Sequence, residues 1–217
     1  MKGRLIVVEG LDGSGKATQT ALLERFLREQ TQTVRRVSFP DYREPSSELV
    51  KMYLNGDFGS DPQNVNAYAA SSFYAVDRYA SYKRFWQRDY ETGAVILADR
   101  YVTSNAIYQM VKLPKEEWTP FLRWLSDYEY DKLGLPRPDH VIYLDMPPEA
   151  SQKLLLKRYA GNESKKDIHE ANLAFLLQCR EAACFAAEAW GWRRVTCAEN
   201  GEPRPVEAIA QELRRLI

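Results

Sequence analysis

The sequence is poor in cysteine and has no excess of charge of either sign. Of its 217 residues only Cys179, Cys184 and Cys197 are cysteines, and their number and spacing fit neither a disulfide framework nor a zinc site. Lysine plus arginine and aspartate plus glutamate each number 30. No overall charge therefore draws the chain to nucleic acid or to an anionic membrane, and any basic binding site must be local. We expect no nucleic-acid partner.

Long hydrophobic runs are also missing. The first apolar run, Leu5–Val8, is short and leads directly into Glu9, which is not how a signal peptide is built. No segment approaches the roughly 20 apolar residues of a membrane-spanning helix. We therefore expect a cytoplasmic protein without a membrane partner. Its length suits one domain with a sizeable core, and we expect a single domain over residues 1–217.

Neither internal repeats nor low-complexity segments occur, and five short β-rich runs alternate with helical patterns. These runs are mostly apolar on successive residues, as strands covered on both faces are. They are Arg4–Glu9, Val34–Phe39, Ala94–Asp99, His140–Asp145 and Arg193–Cys197. The alternation predicts an α/β fold of three layers, a five-stranded parallel sheet with helices on both faces. Ligands bind at the carboxyl ends of the strands in such sheets.

Apolar residues at helical spacing mark the helices between these runs. One such stripe consists of Trp118, Phe121, Leu122, Leu125 and Tyr128. Another helix is expected to begin with Asp61 as its N-cap and Pro62 at its first position.

A glycine-rich stretch after the first strand carries the clearest functional signal. Gly10 is followed by four residues and then by Gly15 and Lys16, the pattern of a phosphate-binding loop that opens a helix. Backbone N–H groups close around phosphate oxygens there, and Lys16 supplies charge to the terminal phosphates. A chance glycine-rich turn is the alternative. The loop predicts ATP binding by Gly10, Leu11, Asp12, Gly13, Ser14, Gly15, Lys16, Ala17 and Thr18.

One position of this loop departs from the pattern. The residue after the lysine is usually a serine or threonine whose hydroxyl binds Mg²⁺, but here it is Ala17. The next hydroxyl is that of Thr18, which is rotated by about 100° from position 17 on the helix and is expected to face away from the metal. A bound Mg²⁺ must then be held through water or by another group, and the carboxylate of Asp99 is our candidate.

Five segments in order carry a resemblance to a known family. They are the phosphate loop, Phe39-Pro40, Tyr74-Ala75-Val76-Asp77-Arg78, Ala98-Asp99-Arg100-Tyr101 with Ser104-Asn105-Ala106-Ile107-Tyr108-Gln109, and Leu144-Asp145-Met146-Pro147-Pro148-Glu149. Their order and spacing resemble the thymidylate kinases over nearly the whole chain. The resemblance implies transfer of the γ-phosphoryl group of ATP·Mg²⁺ to dTMP. It also implies a homodimer packed through helices near the acceptor site.

The resemblance also assigns roles to individual residues. It implies that Tyr74 stacks on thymine, unless it is simply a core residue, and that Arg78, one helical turn away, holds the acceptor phosphate. Asn105 would contact the base, and Tyr108 would lie under the sugar and exclude ribose. The implied substrate-binding set is Asp12, Phe39, Tyr42, Phe73, Tyr74, Arg78, Arg100, Asn105, Tyr108 and Gln109. The implied catalytic set is Lys16, Asp99, Arg100 and Arg158.

Two departures from the family concern cations. Some relatives have an arginine inside the phosphate loop, and this chain has Gly13 and Ser14 there. A mobile lid at about residues 147–169 would supply the missing charge through Lys153, Lys157, Arg158, Lys165 and Lys166. A solvated helix face is the alternative for a charge run, and for Lys165 and Lys166 the two interpretations are equal. Many relatives also place an arginine within two residues of the proline after strand two. Here it is Arg43, one position further on.

Other functions remain open at this point. A kinase for another nucleoside or nucleotide would share the loop and the lid and would differ in its base pocket. A GTPase needs an Asn-Lys-x-Asp motif, which the sequence does not contain. A non-catalytic nucleotide-binding regulator is favoured only by Ala17.

Overall fold

In the computed structural model, which describes residues 2–30, 32–151 and 173–217, five parallel strands form one sheet. They are β1 (Arg4–Gly10), β2 (Val34–Ser38), β3 (Val95–Asp99), β4 (His140–Asp145) and β5 (Arg193–Thr196). Their order is β2-β3-β1-β4-β5, and every neighbouring pair is parallel. The predicted five-stranded parallel sheet is confirmed, and each apolar run overlaps one strand.

Helices connect these strands. They are α1 (Lys16–Glu29), α2 (Glu48–Asn55), α3 (Ala67–Ser81), α4 (Gln87–Glu91), α5 (Thr103–Tyr108), α6 (Trp118–Ser126), α7 (Leu173–Trp190) and α8 (Val206–Arg215). Two of them continue directly into a wider π-helical turn, α3 into Tyr82–Trp86 and α6 into Asp127–Lys132. Such turns inside helices are uncommon and often occur at functional sites.

The sheet is packed on both faces because successive side chains of a strand point to opposite sides. Ile6 and Val8 of β1 belong to one core cluster, which includes Leu23 and Leu27 of α1 and Ile209 and Leu213 of α8. Their neighbours Leu5 and Val7 belong to the second and larger cluster, together with apolar side chains of α5, α6 and α7. The three central strands β1, β3 and β4 are thus covered on both faces, as expected, whereas the edge strands β2 and β5 are partly exposed.

The switch in strand order at β1 creates the crevice in which a ligand can bind. β1 pairs with β3 on one side and with β4 on the other. In this register Val8 lies opposite Asp99, so the chain segments that follow β1 and β3 leave the same edge of the sheet side by side.

The predicted start of the third helix at Pro62 is wrong. Asp61 does accept a backbone hydrogen bond, but it caps only the single 3₁₀ turn Pro62–Asn64. Val65 is extended, with φ −111° and ψ 119°, and an extended residue interrupts a helix. The true N-cap of α3 is Asn66, whose Oδ1 accepts a hydrogen bond from the Ala69 N–H at 2.9 Å.

A short antiparallel hairpin precedes α8 and was not predicted from the sequence. It pairs β6 (Ala198–Glu199) with β7 (Glu202–Pro203). Among the helices that the structure describes, none has both the length and the apolar character that crossing a membrane requires.

Candidate active site

A cavity of about 880 Å³ opens at the carboxyl edge of the sheet, beside the ends of β1, β2 and β3. Most of the predicted site residues line it, namely Asp12, Gly13, Ser14, Gly15, Lys16, Ala17, Thr18, Phe39, Tyr42, Tyr74, Arg78, Asp99, Arg100, Asn105, Tyr108 and Gln109. Sequence reasoning missed several further lining residues, among them Gln19, Ser38, Leu54, Ser104, Met146 and Arg204. Topology therefore brings the predicted donor and acceptor residues to one cavity.

Three predicted residues lie outside the lining of this cavity. Phe73 packs on Phe58, with their ring centroids 5.7 Å apart, and it does not line this cavity. Leu11 is buried and contributes its carbonyl group. A Cβ on Gly10 would lie 2.4 Å from Oγ of Ser14 and 3.0 Å from the Leu144 carbonyl oxygen, so glycine permits this close approach.

The predicted lid cations Lys153, Lys157, Arg158, Lys165 and Lys166 lie outside the described residues. Arg43 is described, but it does not line the cavity. Its exposed side chain donates to Oδ1 of Asp41 at 3.1 Å.

The phosphate loop has the backbone that anion binding requires. Gly13 and Gly15 have φ angles of 76° and 87°, in the left-handed region that glycine adopts without strain. The loop ends at Lys16, the first residue of α1. The backbone N–H groups at this helix N-terminus have no acceptor within the helix, and together with the helix dipole they form a site for phosphate.

Lys16 is held inside this loop. Its Nζ donates to the Leu11 carbonyl oxygen at 2.9 Å and lies 4.0 Å from Oδ1 of Asp12. Burial, followed by the positive charge of Arg100, lowers the pKa of Lys16 to about 8. A phosphate group between the two cations would remove the repulsion that disfavours the lysine's charge.

Arg100 follows β3 in a left-handed conformation, with φ 68°, which costs free energy for a residue other than glycine. Its backbone N–H donates to the Val8 carbonyl oxygen at 3.1 Å. Nη2 donates to Oδ1 of Asp12, and the Tyr108 hydroxyl donates to Oδ2 of the same carboxylate at 3.0 Å. Although burial opposes its charge, Asp12 holds the pKa of Arg100 well above its ordinary value.

Glu9 secures the turn that carries Arg100, a role that sequence reasoning missed. Its buried Oε1 accepts hydrogen bonds from the Tyr101 N–H at 3.1 Å, from Oγ1 of Thr103 at 2.6 Å and from Oγ of Ser104 at 2.9 Å. Burial raises the pKa of Glu9, and the charge of Arg100 partly offsets this. A glutamate at the end of β1 could be seen in the sequence, but its hydrogen-bond partners almost a hundred positions away could not.

At the other end of the cavity, Arg78 is paired with a buried carboxylate. Its Nε and Nη2 donate to the two oxygens of Glu129 at 2.7 and 2.6 Å, and both side chains are at most 1% exposed. Nδ2 of Asn105 also donates to Glu129, at 2.9 Å, and to the Ser71 carbonyl oxygen at 3.2 Å. Burial alone would lower the pKa of Arg78, but the negative charge of Glu129 outweighs the effect of burial, so the pKa of Arg78 is raised.

Two more residues complete this end. Tyr74 is half-buried and lines the cavity, and its ring meets that of Tyr53 edge-on at 6.5 Å. Gln109 is 1% exposed, and its Oε1 has no hydrogen-bond partner among the described residues. Both side chains line the cavity, so both can contact a ligand bound there.

Comparisons with known proteins agree with this geometry. The family model described as thymidylate kinase matches residues 8–206. A thymidylate kinase of Symbiobacterium thermophilum is 31% identical over 98% of this chain and 91% of its own length. One from Mycobacterium tuberculosis is 29% identical over 92% of this chain and 93% of its own length.

A solved thymidylate kinase structure from Candida albicans has the same fold. Its TM-score to this chain is 0.71 at 21% identity, over 100% of this chain and 91% of that one. The family model and the relative from Symbiobacterium thermophilum confirm the resemblance inferred from the motifs. Since the family match begins at the end of β1 and covers the phosphate loop and the other four strands of the sheet, this chain belongs to the thymidylate kinase family, a family of phosphotransferases.

Proposed function

We propose that the protein transfers the γ-phosphoryl group of ATP to dTMP, giving ADP and dTDP. One observation carries this proposal: a single cavity holds a phosphate loop at one end and, at the other, the buried side chains of Arg78 and Asn105, which both donate hydrogen bonds to Glu129. Arg100 lies beside Asp12 of the phosphate loop, where the two phosphate chains would meet.

Positioning and charge neutralisation supply the catalysis. The attacking group is a phosphate oxygen of the acceptor, which is already nucleophilic and needs no strong base. Lys16 and Arg100 are held by the Leu11 carbonyl oxygen and by Asp12, contacts that phosphate oxygens can replace. Both cations would then face the oxygens on which negative charge builds up during transfer.

Mg²⁺ fits the carboxylates of this end. Mg²⁺ is usually held by one or two carboxylates together with substrate phosphates and water, and it does not need a complete protein cage. Asp12 and Asp99 both line the cavity, although Arg36 lies 3.9 Å from the Asp99 carboxylate. Ala17 contributes no side-chain oxygen, so we assign the metal to Asp99 through water, with Asp12 nearby. Mg²⁺ would neutralise phosphate charge there.

The base end matches thymine. The two nitrogens of Arg78 that bind Glu129 leave Nη1 to donate into the cavity, and the two hydrogens of Asn105 Nδ2 are used by Glu129 and Ser71. Oδ1 of Asn105 is then an acceptor for the N3–H of thymine, while Nη1 donates to O4. This arrangement supports a base-reading role for Arg78 in place of the acceptor-phosphate role that the sequence suggested.

Further roles follow from position. Tyr74 would stack on the base, and the unpaired Oε1 of Gln109 would accept a hydrogen bond from the substrate. Tyr108 lies against Arg100, whose guanidinium carbon is 5.1 Å from the ring centroid, where a ribose 2′-hydroxyl would be crowded. The basic lid, with Arg158 as its catalytic cation, remains a prediction from the sequence: neutralising Arg158 is expected to reduce kcat strongly and to spare dTMP binding.

We also infer a homodimer from the surface of α3. Large apolar side chains on this helix are 37–49% exposed, namely Tyr68, Val76 and Tyr79, and a second copy would cover them. Sedimentation equilibrium should give twice the 25.1 kDa chain mass, and a monomer at micromolar concentration would contradict this.

ADP release in the presence of ATP and Mg²⁺ tests the proposed function. The acceptor panel is dTMP, dUMP, UMP, CMP, dCMP, AMP, GMP and thymidine. Strong turnover of dTMP with weaker turnover of dUMP is the expected result. Preference for another monophosphate would keep the kinase and overturn the base assignment. ATP binding without turnover would favour a non-catalytic regulator, as the missing hydroxyl at Ala17 allows.

A further inference from the structure

One buried carboxylate joins both side chains at the base end of the cavity. Glu129 lies in the π-helical turn after α6, is fully buried, and sits behind the residues that line the cavity. Its Oε1 accepts from Nη2 of Arg78 at 2.6 Å and from Nδ2 of Asn105 at 2.9 Å, and its Oε2 accepts from Nε of Arg78 at 2.7 Å.

These contacts dictate what the cavity offers to a ligand. A carboxylate that accepts three hydrogen bonds has no hydrogen to give, so Asn105 must turn its NH₂ group toward Glu129. Oδ1 of Asn105 is left as an acceptor, and Nη1 of Arg78 is left as a donor. The bidentate pairing fixes the plane of the guanidinium as well as its position.

We propose that Glu129 is a positioning residue that sets base selectivity without touching the substrate, an inference that rests on the proposed function. Thymine and uracil present an acceptor at O4 and a donor at N3, whereas cytosine presents a donor at N4 and an acceptor at N3. The donor–acceptor order that Glu129 imposes matches the first pattern and opposes the second at both positions. A buried donor or acceptor left unpaired makes such rejection strong.

A competition experiment tests this role. Wild type, Glu129→Gln and Glu129→Asp each receive dTMP and dCMP together with ATP and Mg²⁺, and the ratio of products gives the ratio of kcat/KM values. This ratio does not depend on how much of a variant is folded. Gln replaces one accepting oxygen by a donor that faces Arg78, and Asp keeps the charge but shortens the side chain.

We expect Glu129→Gln to lower the dTMP:dCMP ratio by about tenfold or more, mainly through a larger KM for dTMP with kcat nearly kept. Glu129→Asp should lower it less, and it preserves the buried charge pair if the Gln variant does not fold. The matched control is Asp131→Asn, which makes the same chemical change in the same turn at an exposed carboxylate paired with Arg137 at 2.8 Å. It should leave the ratio unchanged.

An unchanged ratio in the folded Glu129 variants, with a wild type that prefers dTMP, would overturn this inference and leave the proposed function standing. An equal drop in the Asp131→Asn control would also overturn it. A wild type that phosphorylates none of the monophosphates would overturn the proposed function itself, and the selectivity role with it.

Discussion

The two ends of the cavity hold their charged groups in different ways. At the phosphate end, Lys16 and Arg100 contact a carbonyl oxygen and a carboxylate of the loop that binds the ligand. At the base end, Arg78 is paired bidentately with Glu129 behind the cavity wall, and both are buried. We propose that ligand oxygens replace the first set of contacts and that the second set persists when the ligand binds.

The character of the ligand explains this difference. A phosphate brings negative charge and strong acceptors, so the cations that bind it need only be close and free to change partners. A nucleobase is neutral, and its identity is expressed only in the directions of its donors and acceptors. Reading it requires groups whose orientation is set in advance, which a buried carboxylate provides.

The largest effect is expected at the phosphate end. Replacing Arg100 by alanine should reduce kcat by about 10³-fold, because a preorganised cation that meets transition-state charge contributes on that order. The KM for dTMP should change little. Arg137→Ala, which removes an exposed arginine, is the control and should leave steady-state kinetics unaltered. A loss confined to KM would place Arg100 in ground-state binding.

At the base end, Tyr74→Ala should change the KM for dTMP and not kcat. Loss of a stacked ring costs about 1–3 kcal/mol per base, so the KM for dTMP should rise by about 5- to 150-fold while kcat is nearly kept. Tyr74→Phe keeps the ring and should stay close to wild type. If alanine has no effect on KM, Tyr74 is a core residue, the alternative that the sequence left open.

A pH profile tests the phosphate end without mutation. The pKa of Lys16 is lowered to about 8 by burial and by Arg100, and phosphate binding needs its charged form. As pH rises above 8 the free protein loses this proton, so kcat/KM for ATP should fall about tenfold per pH unit. Thermal unfolding at each pH verifies that the chain stays folded. A profile that is level up to pH 9.5 would contradict the lowered pKa.

The smallest effect is expected at Ala17, where the phosphate loop departs from the usual motif. Ala17→Ser restores a hydroxyl where Mg²⁺ is usually bound, and one added polar contact should lower the half-saturating Mg²⁺ concentration by up to about tenfold. Thr18→Ala is the matched control, since successive residues of α1 are rotated by about 100° and position 18 is not where the motif places the Mg²⁺ hydroxyl; it should not alter the half-saturating Mg²⁺ concentration. A serine variant that behaves as wild type would show that the metal lies away from position 17.

Local patterns account for what was correctly predicted. The five strands and the parallel sheet follow from apolar runs and their alternation with helices, and the loop from glycines beside Lys16. The start of α3 was misjudged because Asp61 and Pro62 have the chemistry of a helix start, and only the extended Val65 shows that the helix begins later. Phe73 was predicted to contact the substrate together with Tyr74. Successive residues of a helix point about 100° apart, and only Tyr74 lines the cavity.

The sequence by itself thus determined the fold, the phosphate loop and many of the side chains that line the cavity at the carboxyl edge, because each is encoded in short stretches of chain. The tertiary structure alone decided the partners of the buried charges. Glu129 extends the apolar stripe of α6, a signal that something unusual is buried there, but Arg78 lies 51 positions away and Glu9 binds residues 92 to 95 positions distant. Such pairings depend on which surfaces the packed helices bring together, and they cannot be predicted from periodicity along the chain.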